Sequence, residues 1–165
     1  MAIKTLLRSQ ITKISGHHFR FSVRGMSGDF DVPIPGIEAA PKGPSPKEML
    51  LASMCACTGT DVIDLLAKFK VEYANLSLEA KAEVTNTHPK VFGKVDLTYE
   101  INAPAGDTAM ILEAVKRSTH QYSSVTAIVA KTCPVFYRVK VDGQIIGEGQ
   151  ADFTNPHPPA SLPGK

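Results

Sequence analysis

No run of lysines or arginines occurs anywhere in this 165-residue sequence, whose 18 basic and 16 acidic residues leave a net charge of +2. Scattered charge of this kind, with no zinc-finger or RNA-binding signature, gives no footprint for nucleic acid. No apolar run approaches the ~20 residues that cross a bilayer, so no membrane span is expected. The opening Met1-Ala2-Ile3-Lys4-Thr5-Leu6 leads into a strand pattern rather than a secretory leader. Cysteines number only three, an odd count that builds no disulfide framework and points to a reduced, cytoplasmic protein. Glycine-rich phosphate loops are missing. The five histidines, His17, His18, His88, His120 and His157, lack ligand spacing and read as surface and turn residues, so neither a metal nor a bound cofactor is expected. Ser123-Ser124 has no Gly-x-Ser-x-Gly elbow around it and reads as a helix cap rather than a nucleophile.

What is present fits an ordinary soluble domain, at 43% hydrophobic and 21% charged residues. The length suits one domain over residues 1–149 followed by a proline-rich tail over 150–165. The first third reads as a strand meander: branched and polar residues alternate over 4–14, Gly16 breaks the run, His18 to Arg24 alternates again, and Phe30, Val32 and Ile34 mark a third short strand. From Pro33 to Pro46 five prolines and two glycines make a loop. It ends in a capping box, in which Ser45 accepts from the amide three residues on, Glu48 reaches back, and Pro46 occupies the first helical position. The helix then runs to about Phe69. Between Met49 and Ala56 it is apolar or small on nearly every side and is expected to be buried nearly all round.

The cleanest alternation follows: Leu76, Leu78, Ala80, Ala82 and Val84 against Ser77, Glu79, Lys81, Glu83 and Thr85, resuming at Val91, Gly93, Val95, Leu97, Tyr99 and Ile101. This is a long antiparallel hairpin with one wet face. Asp107 is placed to cap a helix carrying Ile111, Leu112, Ala114 and Val115, and Tyr122-Ser123-Ser124 starts another through Val125, Ile128 and Val129. A last hairpin turns at Asp142-Gly143. Strands separated by long helices, with antiparallel hairpins among them, define an α+β fold. A helix apolar on so many sides is more easily covered in a dimer.

Two thiols stand in the long helix. Cys55 and Cys57 are turned about 200° apart, so they neither bond each other nor chelate a metal together. Spacing alone makes both small core hydrophobes. A reactive thiol needs a positive neighbour or a helix N-terminus, and Cys57 lies about 18 Å along the axis from the helix start. Glu48 is about 13 Å away on the same helix and cannot touch Cys57 there, so a shared site has to bring Glu48 and a cation from another element or another subunit.

The segment Pro44-Ser45-Pro46-Lys47-Glu48-Met49-Leu50-Leu51-Ala52-Ser53, followed by Ala56-Cys57-Thr58-Gly59-Thr60-Asp61-Val62, resembles the OsmC/Ohr family of osmotically induced and organic hydroperoxide resistance proteins. So do His88-Pro89-Lys90-Val91-Phe92 and Gln121-Tyr122-Ser123-Ser124-Val125-Thr126-Ala127, and together the matches extend over residues 1–147. The resemblance is to the broad OsmC-like branch. It implies an intertwined α+β homodimer with an N-terminal β-meander, a long buried central helix, an antiparallel hairpin, and C-terminal helices and strands. It also implies a thiolate that attacks an organic hydroperoxide and becomes a sulfenic acid, which a second cysteine captures as a disulfide. Cys57 matches the attacking cysteine, while Cys55 stands where the family has a small residue. The resolving position is Ser123, a substitution, with Cys133 a poor geometric replacement. The family's glutamate falls on Lys47, with Glu48 one residue off, and its activating arginine is best matched by Arg20, then Arg24.

Two readings follow. In the first, Cys57, with Arg20 and Glu48, is the centre of a thiol-dependent peroxidase that reduces hydrophobic hydroperoxides and is restored by an external thiol or dithiol. In the second, the same homodimer holds a small lipophilic ligand at its interface and Cys57 only lines the wall; a stress-associated dimer without any ligand is a third. Ser123 weakens the first reading and leaves the second untouched.

Overall fold

The computed structural model describes residues 6–32, 36, 40–103 and 107–154. Most of the tail expected over 150–165 lies outside the described residues, as do Ile34 of the third expected strand and Pro104 and Gly106. The chain divides after Leu50 into two units.

The first unit holds the meander β1 (Gln10–Ser15), β2 (His18–Val23) and β3 (Met26–Asp31), paired antiparallel in that order. The third strand lies earlier than the apolar residues suggested, because the turn at Arg24-Gly25 takes left-handed backbone at both positions (φ 51° and 78°) and reverses the chain at once. Ile11, Phe21 and Gly28 are opposite one another across the sheet, and Phe21 packs on Phe30 with ring centroids 4.9 Å apart. The other face carries Arg20 opposite Asp29. The loop before the helix closes on β3: the Asp31 amide donates to the Pro44 carbonyl (3.2 Å) and the Lys42 amide to the Asp31 carboxylate (3.0 Å). A Cβ at Gly43 would fall 2.3 Å from the Asp29 carbonyl oxygen, so only glycine permits that approach.

The capping box forms as the residues dictate. The Ser45 amide donates to Glu48 (2.7 Å) and the Glu48 amide to the Ser45 hydroxyl (3.4 Å). It opens α1 (Pro46–Phe69), 24 residues long. By length and composition this helix is long and apolar enough to cross a bilayer, a reach that the sequence reading gave to no apolar run. Its Met54, Val62, Leu65 and Leu66 are instead buried in one core with Leu97, Val139 and Ile111. Burial is one-sided, since Leu50, Ala52, Ser53, Ala56, Thr60 and Ile63 are exposed on the single chain. Hydropathy had implied cover nearly all round; it records how apolar a segment is, not whether the cover comes from the same molecule.

In the second unit, β4 (Asn75–Val84), β5 (Phe92–Asn102), β6 (Val135–Val141) and β7 (Gln144–Gln150) form one sheet in chain order. β4–β5 and β6–β7 are antiparallel hairpins, and β5–β6 is parallel. The alternation read from the sequence sets β4 and most of β5, but a register shift at Glu83/Val84 puts Phe92 inside and leaves Val91 exposed. The parallel step needs a crossover. It is made by α2 (Thr108–Arg117), a π turn over Ser118–Tyr122, and α3 (Ser124–Ala130). Asp107 stands at the start of α2 without a side-chain cap bond. The sheet continues beyond residue 149: Gln150 pairs with Phe136, and the Ala151 amide donates to the Val135 carbonyl (2.8 Å). These elements give the α+β fold expected from the sequence.

Candidate active site around Cys57

Cys57 sits on α1 beside the buried Thr58 and Gly59, half-exposed, with its sulfur 3.6 Å from the Ser124 hydroxyl. Burial by itself pushes the Cys57 thiol up. Three donors outweigh it: the Val125 amide and the hydroxyls of Ser124 and Ser123 favour the thiolate and hold the thiol below its ordinary value, against a smaller upward push from Asp61. Cys55 has the opposite fate, since burial and then the charge of Glu79 raise its thiol. The two cysteines therefore face different surroundings, as the helical geometry required.

The structure brings Cys57 near Ser123, the residue that the family resemblance matched to the resolving position. Ser123 is fully buried and its hydroxyl bonds to that of Thr126 (2.7 Å) rather than to a backbone amide, so it occupies the cap position of α3 without capping through its side chain. The preceding Ser123 amide donates to the Ser118 carbonyl (2.9 Å), the five-residue closure of the π turn. Cys133 is buried in the core with its sulfur 4.0 Å from the Val129 carbonyl.

Arg20 and Glu48 belong to the first unit. Arg20 makes a two-pronged pair with Asp29, at 2.8 Å from Nε and 3.1 Å from the terminal nitrogen. The Asp29 carboxyl also binds His18 Nε2 at 2.9 Å. Arg20 first and His18 next hold that carboxyl well below the usual carboxylate range. His18 is therefore no surface histidine: it is only 8% exposed, and its Nδ1 has no hydrogen-bond partner among the described residues. The sequence hid this because the residue follows a turn and its partner lies on another strand. Glu48 is exposed, and its carboxylate is lowered by the bonds to Ser45 that cap α1. Arg24 lies in the β2–β3 turn. Lys47 is exposed in the first turn of α1.

Sequence reasoning missed a polar chain under Cys57. The Thr58 hydroxyl lies 2.6 Å from that of Tyr99 and 2.7 Å from that of Ser118, all three residues being fully buried. Ser118 also donates to the Asp61 carboxylate at 3.2 Å. Thr58 and Asp61 follow Cys57 on α1, which was a signal within reach; Tyr99 and Ser118 come from distant elements and gave none. Among the described residues, no group of histidines, cysteines and carboxylates is arranged to hold a metal ion.

Residues 39–138 match the family model described as OsmC-like protein. The protein YhfA of Escherichia coli K12 is 25% identical to this chain over 100 residues, 61% of this chain and 75% of YhfA. An OsmC-like protein from Mycoplasma pneumoniae has a structure similar to this one with a TM-score of 0.73 at 12% identity, over 84% of this chain and 99% of that one. The organic hydroperoxide resistance protein OhrB of Bacillus subtilis gives 0.60 at 19% identity, over 82% of this chain and all of that one. At these identities the structural likenesses speak to the fold.

Proposed function

Since the chain belongs to the OsmC-like protein family, we propose that it is a thiol-dependent peroxidase that reduces organic hydroperoxides through Cys57 and works without a resolving cysteine. The observation that carries this reading is the Cys57 sulfur, half-exposed and 3.6 Å from the Ser124 hydroxyl, with its thiol held below the ordinary value. A thiolate so held attacks the terminal oxygen of a hydroperoxide. An S–O bond forms, the O–O bond breaks, and the alcohol leaves after taking a proton, leaving a sulfenic acid. With serine at position 123 no neighbouring thiol condenses with that product. An external thiol attacks it instead, releasing water and forming a mixed disulfide, and a second thiol frees Cys57. The cytoplasm supplies such thiols.

In this reading Arg20 provides the positive charge that favours the thiolate and Glu48 the carboxylate that steadies it. Within the described residues Arg20 is paired with Asp29 and Glu48 with Ser45, so Arg20→Ala and Glu48→Gln test the two assignments directly. The protein acts as a homodimer, which the exposed Leu50, Ala56 and Ile63 of α1 support by offering an apolar face that one chain leaves open. A site bordered by that face suits hydrophobic hydroperoxides.

The alternative, an interface pocket that binds a lipophilic molecule without turning it over, is favoured by one observation, the serine at 123. One assay separates the two. Purified protein is given cumene hydroperoxide and a dithiol, beside Cys57→Ser. Turnover that disappears in the variant supports the peroxidase; equal turnover, or none in either protein, overturns it.

A further inference from the structure

Asp61 is one helical turn beyond Cys57, and side chains four apart on a helix are neighbours, with Cβ atoms about 6 Å apart. Its carboxylate is half-buried and forms no ion pair among the described residues. A chain of three hydroxyls, from α1 itself, β5 and the π turn, addresses it instead. The Ser118 hydroxyl has two acceptors, the Asp61 carboxylate at 3.2 Å and the Thr58 carbonyl at 3.4 Å, and the nearer, charged one takes its single proton. Ser118 then accepts from Thr58, and Thr58 from Tyr99. Every proton in the chain is thereby aimed at Asp61, and each of the three buried hydroxyls has a partner. An ordered chain of this kind is an expensive way to hold a carboxylate that had no role. A solvated aspartate on the same turn would need none of it.

We infer that Asp61 is a charge-setting positioning residue for Cys57: its carboxylate, fixed by the Ser118–Thr58–Tyr99 hydroxyl chain, opposes ionisation of the thiol that Ser123, Ser124 and Val125 favour. The site is then a balance between donors on α3 and a negative charge on α1. Ionisable groups near the pair include Cys55 and Asp64 on α1, Tyr99 on β5 and, towards Tyr99, Tyr137 on β6. The cation nearest in the chain to Ser118 is Arg117 of α2, which lies over Phe69 of α1 and is ion-paired with Glu113. Asp64 adds to the negative field at Asp61, and burial holds the Tyr99 phenol neutral. The thiol therefore stays responsive to whatever positive charge an assembled site brings, rather than being permanently ionised. This inference deepens the peroxidase reading and rests on it for its purpose, but its test does not involve peroxide.

The experiment measures the rate of iodoacetamide alkylation at Cys57 against pH in the full chain, resolved by peptide mass spectrometry so that Cys55 and Cys133 do not contribute. Asp61→Asn keeps the shape and removes the charge. Its midpoint is expected to fall by about half to one pH unit, making alkylation on the acid side of the wild-type midpoint about 3- to 10-fold faster. Asp61→Glu keeps the charge and is expected to retain the wild-type midpoint. Should Asp61→Asn lose its cooperative thermal transition, Asp61→Ser supplies the uncharged arm. An unchanged or raised midpoint in the folded uncharged variant overturns the inference, as does an Asp61→Glu midpoint that shifts with it. Failure of peroxide turnover with the midpoint shifted would overturn the peroxidase reading and leave this one standing.

Discussion

The hydroxyl of Ser124 stands 3.6 Å from the sulfur of Cys57 and joins the first turn of α3 to the middle of α1. Sixty-seven residues separate the two in the chain. The neighbouring Val125 amide and Ser123 hydroxyl act on the same sulfur, so one short segment supplies most of what favours the thiolate. A cysteine far from its own helix start thus obtains its donors from the beginning of another element.

Removing one of those donors is expected to raise the thiol. In Ser124→Ala the Cys57 midpoint moves up by about 0.3–0.7 pH unit, the equivalent of a modest hydrogen bond, and alkylation near neutrality slows by about 2- to 5-fold. Stopped-flow alkylation across a pH series checks this. The sign follows from the charge: a donor stabilises the thiolate, so its loss disfavours ionisation.

Restoring a thiol at the resolving position is expected to change the product of oxidation. Ser123→Cys, treated with one equivalent of hydroperoxide, should give an intramolecular disulfide, seen as the loss of two hydrogens in the intact mass and as a crosslinked peptide with Cys57. The wild type should instead give a sulfenic acid that dimedone traps. Dimedone labelling of equal extent in both proteins would show that position 123 does not reach Cys57.

How legible was all this? The long hairpin, the capping box and the division into strands and helices follow from alternation, proline placement and the spacing of Ser45 and Glu48. Those signals are local, carried by residues a few positions apart. Simple alternation puts Phe92 on the wet face, but the register passes from Glu83–Lys94 to Val84–Phe92, so Gly93 is an extra residue on Phe92's own strand; a lone glycine inside a strand is the local sign of such a bulge. His18 reads as a surface residue in the sequence because its partner Asp29 is set by strand pairing. The hydroxyl chain was invisible for the same reason: Thr58 meets groups 41 and 60 residues away. Cys57 itself stood out through its family resemblance, whereas its spacing from Cys55 alone favoured a packing role.

Thr58 is expected to be a stability residue as well as a positioning one. Thr58→Val leaves the buried Tyr99 hydroxyl without its partner and should cost about 1–3 kcal/mol in denaturant unfolding. In a Tyr99→Phe background the same substitution orphans no phenol, so its cost should be smaller. Equal costs in the two backgrounds would mean that the Thr58–Tyr99 bond contributes nothing.

The Asp29 clasp is expected to show in acid. The Asp29 carboxyl is held below its ordinary range, so the stability it contributes is present above the unfolded value of about 3.9 and is lost as pH falls through the folded value. Asp29→Asn should therefore lower the melting temperature at neutral pH, and its gap to the wild type should narrow as the pH drops below about 4. A gap that is constant or widens in acid would refute the assignment.

The π turn at Ser118–Tyr122 has a consequence for how variation at this site is to be weighed. A helix advances about 100° per residue, so one residue more or fewer between Ser118 and Ser123 would swing the two serines round by roughly that angle relative to one another. Ser118 would still be a serine, and so would Ser123, yet they could not serve the Asp61 side and the sulfur side of Cys57 together. The spacing is itself a determinant, and a one-residue deletion there should be more damaging than any single substitution among the five residues it spans.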